Sequence, residues 1–134
     1  LGAFTPQGIK QGGLSDCWFL AGITAIAENP DRMNSIVHYN YDKITTTKVC
    51  SDTSLGLKYM GAINIDDRLP AGYKYSNSKD YFKPFGADRS NFKAWWMPLL
   101  EKAYSKLNGN FDRIEWGSGY ESLRQLSARP VFFF

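Results

Sequence analysis

The segment Gln11-Gly12-Gly13-Leu14-Ser15-Asp16-Cys17-Trp18-Phe19-Leu20-Ala21 constrains this chain more than any other part of it. A glycine-containing loop runs into an apolar stretch at helical spacing (Phe19, Leu20, Ile23, Ile26, Ala27), which stops at Asn29-Pro30. Cys17 therefore falls in the first turn of a helix. There the unpaired backbone N–H groups and the positive end of the helix dipole favour a thiolate over a thiol. A thiolate is the form that attacks a carbonyl.

Gln11 stands six residues before Cys17, beyond Gly12 and Gly13. A side-chain amide at that place can fold back beside the sulfur. It can then donate to the oxyanion that forms when sulfur attacks an amide carbon, and one such donor is worth roughly 3–4 kcal/mol of barrier. A cysteine at a helix start is more often just a small buried residue. Here the glutamine, the glycine turn, the aspartate and the tryptophan together outweigh that reading.

With 134 residues, the chain can build one core of ordinary size, and 43% hydrophobic and 16% aromatic residues are enough to fold it. No run of about 20 apolar residues is present, so no membrane span is expected, and no signal peptide is visible. The net charge of +3 comes from scattered Lys and Arg, which gives little support to nucleic-acid binding. Two cysteines, Cys17 and Cys50, make no disulfide framework, so a reducing, cytoplasmic setting is expected. With one histidine and two cysteines, no zinc-ligand spacing occurs. The chain opens on Leu1 and closes on Val131-Phe132-Phe133-Phe134. Both ends look cut, and residues 132–134 are expected to start a connection into further sequence.

Along the chain, residues 1–13 predict a loop and Asp16 to Glu28 a first helix. A short second helix is expected from Asp31 to about His38. Residues 39–60, polar and Thr-rich, suggest strand and loop without clear period. Gly61 to Ile65 suggests a strand leading into Asp66-Asp67-Arg68-Leu69-Pro70, and residues 71–92 a long surface connection. The stripe Trp96, Leu99, Leu100, Ala103, Tyr104 and Leu107 predicts a core helix from Pro98, which suits a first helical position, to about Leu107, ended by Asn108-Gly109. Ser118-Gly119-Tyr120-Glu121 has the form of a capping box and predicts a last helix through Leu123 and Leu126.

Three of these segments together resemble the calpain family of papain-like cysteine proteases. They are the cysteine segment, Asp66-Asp67-Arg68-Leu69-Pro70, and the run from Trp96 to Gly109. Leu126-Ser127-Ala128-Arg129-Pro130-Val131 resembles, in degraded form, the segment that links the two halves of such proteases. Order and rough spacing agree from about residue 7 to 131. The resemblance implies an α+β fold: the helical, cysteine-bearing half of a papain-like core with a small β element, spanning residues 1–131. It implies a cysteine endopeptidase that cuts protein substrates in a limited way. Cys17 would be the nucleophile. Gln11 and the Cys17 backbone N–H would be the oxyanion donors. Gly117 would let the substrate backbone approach, and Trp18 would pack beside the nucleophile. The catalytic histidine and asparagine would come from a second subdomain, which is the partner this reading requires.

Some residues depart from the family pattern. Ser15 stands where a glycine is usual and Trp116 where the first of a glycine pair is usual, which narrows the cleft. The family's calcium carboxylates in this subdomain would fall at Gly8 and Ala94, so no calcium or other cofactor is expected here. Asp66-Asp67 is expected to pair with Arg68 rather than to bind metal. His38 is expected to be an ordinary surface or edge histidine, so residues 1–134 alone are expected to hydrolyse no peptide. The alternative function is a non-catalytic calpain-like interaction module, which the departures favour and the retention of Gln11 and Cys17 opposes. A transglutaminase also places Cys-Trp at a helix start. Its glutamine directly precedes the cysteine, however, where this chain has Asp16.

Overall fold

The apolar helix after Cys17 is the centre of the molecule. The computed structural model describes residues 2–40, 43–53, 56–74, 81–88, 95–127, 129 and 131–132; within 38–62, 73–74 and 81–84 only the backbone is described. Helix α1 spans Cys17–Ala27, one residue later than the expected start, with Asp16 as its N-cap residue. It buries Phe19, Leu20, Ile23, Ile26 and Ala27, the five apolar positions read from the spacing. Helix α2 spans Pro30–Ile36. Asn29 caps it by accepting from the Asp31 and Arg32 N–H groups at 3.0 and 3.4 Å, with Pro30 in the first turn. The helix expected to reach His38 stops at Ile36. Val37 is extended, and strand β1 takes over at Val37–Asn40.

Strands β2, Lys43–Thr53, and β3, Gly56–Ile65, complete an antiparallel sheet in the order β1-β2-β3. Val37 pairs with Thr46 and Ile44 with Ile65, and the register shifts twice around Lys48. The shifts explain why this part of the sequence shows no clean period of two: each one exchanges the faces that successive residues point to. Strands β4, Ala71–Lys74, and β5, Tyr81–Pro84, form an antiparallel hairpin within the segment expected to be surface connection.

Helix α3, Trp96–Asn108, begins two residues before Pro98 and buries nearly its whole circumference. Gly109 follows it at φ 111°, a conformation that only glycine adopts freely. Helix α4 spans Gly119–Ser127, and the Glu121 N–H donates to the Ser118 carbonyl at 2.9 Å where the helix opens. It packs on α1 at Gly22, where an added Cβ would fall 2.0 Å from Ser122 Oγ and 3.2 Å from the Gly119 carbonyl. Phe19 of α1 stacks on Tyr104 of α3 with centroids 4.3 Å apart. One large cluster from α1, α2, α3 and α4 forms the core; a smaller one joins Ile65, Leu99 and Ala103. Among the described residues, no helix is long and apolar enough to cross a membrane. Of the terminal apolar run, Phe132 is 75% exposed, and Phe133 and Phe134 lie outside the described residues.

Polar ties fix the end of β3 to α3. Asp66 accepts from Arg68 Nε and Nη2 at 2.9 and 2.7 Å and pairs with Lys102 Nζ. Lys102 also donates to the Arg68 carbonyl at 2.5 Å, and Lys106 to the Asn64 carbonyl at 2.7 Å. Hydrogen bonds from Lys102 and then Arg68 hold the Asp66 carboxyl well below the usual carboxylate range. A lowered value in the folded state stabilises it above the ordinary carboxylate range, and that contribution fades as pH falls. Asp66→Asn is therefore expected to lower the urea midpoint at pH 7, and the gap to wild type should close as the solution is acidified. A gap that stays constant down to the acid limit would show that the charge is not the cause.

Candidate active site

The loop before α1 owes its course to two glycines and a neighbouring segment. Gly13 N–H donates to the Phe85 carbonyl at 3.0 Å, and Asp88 N–H donates to the Lys10 carbonyl at 2.8 Å. Between these bonds the two backbones touch. A Cβ on Gly12 would fall 1.6 Å from the Gly86 carbonyl oxygen. Lys10 Nζ and Asp88 form an ion pair at 3.6 Å along the same edge. Gly86, Ala87 and Asp88 are buried, which corrects the expectation of a surface connection across residues 71–92. Segment 85–88 braces the loop from beneath.

Cys17 is the first residue of α1 and is exposed. Phe19 and Leu20 N–H groups both donate to the Asp16 carbonyl, at 2.9 and 3.1 Å, so the first turn is closed by backbone bonds. Gln11 is exposed, and its amide folds back on its own loop: Nε2 donates to the Leu14 carbonyl at 2.8 Å. An amide nitrogen carries two protons. That bond uses one of them and fixes the side chain.

Trp18 and Gly117 are brought together. The indole Nε1 of Trp18 donates to the Ile114 carbonyl at 2.8 Å, and a Cβ on Gly117 would fall 2.5 Å from Trp18 Cε2. The ring also meets Phe19 and Tyr104 edge-on, at 6.1 and 5.9 Å. Trp18 is thus a wall clasped between α1, α3 and the turn at Asp112–Ile114. Next to Gly117, Trp116 stands 84% exposed.

Behind the cysteine lies an unforeseen group. The Asp16 side chain is fully buried, and the Glu101 side chain from α3 is 1% exposed. Glu101 Oε2 accepts from the Ala87 N–H at 2.8 Å. Among the described residues, no side chain or neighbouring backbone donates to either Asp16 oxygen or to Glu101 Oε1. The two carboxyls interact with each other, and one proton shared between them satisfies both. Burial first, then the hydrogen bond and charge of Asp16, push the Glu101 carboxyl up to about 9. Burial also raises Asp16, and the charge of Glu115 adds to that. The signal was present in the sequence: Met97, Leu100, Glu101 and Tyr104 follow the i, i+3, i+4, i+7 spacing of an apolar face, with an acid in the middle.

Gly8, where the resemblance would require a calcium carboxylate, is a buried glycine in a short 3-10 turn at Pro6–Gly8. It has no side-chain oxygen to offer. Ala94, Ala128 and the side chains of His38 and Cys50 lie outside the described residues, though the backbones of His38 and Cys50 are in β1 and β2. Among the described residues, no group of three or more His, Cys, Asp or Glu could hold a metal ion.

A cysteine presented at a helix start by a braced glycine loop, on an α+β unit, is the arrangement of a thiol protease subdomain. A family model for the "Calpain family cysteine protease" matches residues 1–134, so the chain belongs to the calpain family. It is 31% identical to calpain-9 of Mus musculus, an alignment covering 95% of this chain and 17% of that protein. It is 31% identical to calpain-8 of Mus musculus over 100% of this chain and 18% of that protein. The calpain-type cysteine protease DEK1 of Arabidopsis thaliana is 28% identical over 94% of this chain and 5% of its own length. The chain thus spans less than a fifth of the length of these relatives.

Proposed function

We propose that this chain is the nucleophile-bearing half of a calpain-type cysteine endopeptidase that makes limited cuts in protein substrates inside the cell. The observation that carries the reading is the placement of Cys17: exposed, at the first residue of α1, behind a loop whose glutamine is tethered to the Leu14 carbonyl. The Cys17 sulfur attacks the scissile carbonyl carbon and a C–S bond forms. The Gln11 amide and the Cys17 N–H receive the charge that moves onto the oxygen. As the C–N bond breaks, the leaving amine takes a proton from a histidine of a second subdomain, which an asparagine orients. Water then hydrolyses the thioester and regenerates the thiol. Gly117 lets the substrate backbone pass close to the Trp18 wall, and Trp116 narrows the cleft beside it.

Closure of the two subdomains brings the imidazole to the sulfur, so their separation gates activity. The position of Gly8 supplies no carboxylate, and no step is assigned to a metal in this unit. The family membership and the retention of Gln11 and Cys17 favour this reading over a non-catalytic interaction module.

The test is casein or fluorogenic-peptide hydrolysis by the full-length protein that carries this chain, compared with its Cys17→Ala variant. Loss of the nucleophile is expected to cut kcat by about 10⁴-fold or more. A Cys17→Ala protein that keeps wild-type turnover, or a wild-type protein with none, leaves the interaction module as the better account.

A further inference from the structure

Segment 85–88 and the start of α1 meet at one buried side chain of α3. Glu101 Oε2 takes the Ala87 N–H, its other oxygen has no donor among the described residues, and the carboxyl interacts with Asp16, the residue immediately before Cys17. Ala87 belongs to the segment that holds the Gln11 loop through the Gly13–Phe85 and Asp88–Lys10 bonds. Gly86 must be glycine for the carboxylate to come in, because a Cβ there would fall 1.7 Å from Glu101 Oε2. The nearby ion pair, Lys10 with Asp88, lies at the outer edge of the segment, and Glu115 contributes only further negative charge toward Asp16.

We propose that Glu101 is a positioning residue for Cys17. A single proton held between the Glu101 and Asp16 carboxyls ties α3 to the start of α1, while the other Glu101 oxygen anchors the segment beneath the Gln11 loop. The assignment rests on reading Cys17 as the nucleophile. The proton sits on Glu101 Oε1 and is donated to an Asp16 carboxylate oxygen, and Oε2 stays free to accept from Ala87. Losing that proton leaves two buried negative charges against each other, beside the Ala87 N–H.

Glutamine mimics a protonated glutamate. In Glu101→Gln the amide N–H₂ donates to Asp16 and the amide oxygen accepts from Ala87, with no proton to lose. Leucine keeps bulk but makes neither bond. The sign of the pH effect follows from the raised carboxyl. Its stabilising contribution is complete below the ordinary glutamate value of 4.5 and is lost as pH rises toward about 9.

The experiment uses the full-length protein, with Cys17 alkylation by iodoacetamide followed site by site by mass spectrometry, and urea midpoints taken from pH 5 to pH 9.5. At pH 7, Glu101→Gln is expected to label Cys17 within twofold of wild type, and Glu101→Leu to differ by fivefold or more. The wild-type urea midpoint is expected to fall across the range, and that of Glu101→Gln to stay nearly level. Should Glu101→Leu fail to fold, the wild-type and glutamine profiles still decide. Parallel midpoint profiles, or wild-type labelling in Glu101→Leu, would overturn the proposal. Neither readout requires peptidase turnover, so a failure here is distinct from a failure of Cys17→Ala to abolish activity.

Discussion

Alanine at position 12 is expected to lower kcat/KM for peptide hydrolysis by about 10²-fold or more, the cost of displacing a catalytic group by about 1 Å. The added Cβ would fall 1.6 Å from the Gly86 carbonyl oxygen and 2.6 Å from its carbon. Both are backbone atoms, so no rotamer change relieves the overlap, and residues 10–13 must move away from residues 85–88. That motion breaks the Gly13–Phe85 and Asp88–Lys10 bonds. It carries Gln11 and its tether to Leu14 with it, while the core of α1, several residues further on, stays packed. The effect should fall on turnover more than on folding. Gly72→Ala supplies the comparison, because nothing lies within 4 Å of a Cβ added there. Steady-state kinetics of the two variants, with far-UV circular dichroism to check folding, decide the matter. Equal kcat/KM for Gly12→Ala and wild type would show that the loop can slide without harm to the site.

The helices were legible because each follows from local signals. In α1 and α3 the apolar residues recur at helical spacing, and the stops, Asn29-Pro30 and Gly109, lie in the sequence itself. The ends shifted by one or two residues, as at Trp96, because burial around nearly the whole of α3 draws Trp96 and Met97 into the helix ahead of Pro98. The strands were far less legible. Pairings such as Ile44 with Ile65 join residues distant in sequence, and the shifts around Lys48 erase the alternation that marks a strand. His38 followed the same course: helical spacing through Met33 and Ile36 suggested continuation, but Val37 goes into the sheet.

At the site, Cys17 and Gln11 could be singled out from order and spacing, and Trp18 and Gly117 only through the family resemblance. The bracing could not, because Gly86-Ala87-Asp88 has the composition of a surface turn and becomes buried only through contact with Gly12 and Glu101. An aspartate before a helix normally caps it with its side chain, whereas here the carboxyl turns inward to Glu101 and the cap carries no side-chain bond. A long-range tertiary contact overrode a strong local preference.

Trp96→Ala is expected to destabilise the fold by about 3–5 kcal/mol, the largest stability loss foreseen for a single side chain here. Trp96 is the bulkiest of the fully buried side chains and lies in the main core cluster with Phe19, Met97, Leu100 and Tyr104. Its Nε1 donates to the Ala3 carbonyl at 3.0 Å, and its ring meets Phe4 edge-on at 5.4 Å, so it also holds the amino-terminal segment against α3. Removing the indole empties a volume walled by helices that are themselves tied elsewhere: α1 to α4 at Gly22, and α3 to the end of β3 through Lys102. Those ties limit how far the walls can collapse, and limited collapse is what makes a cavity costly. The matched comparison is Trp116→Ala, which removes the same group from a position 84% exposed. That change is expected to stay within about 0.5 kcal/mol. Urea midpoints of the two variants separate a buried indole from an exposed one, and equal midpoints would mean that Trp96 does not fill the core as its burial implies.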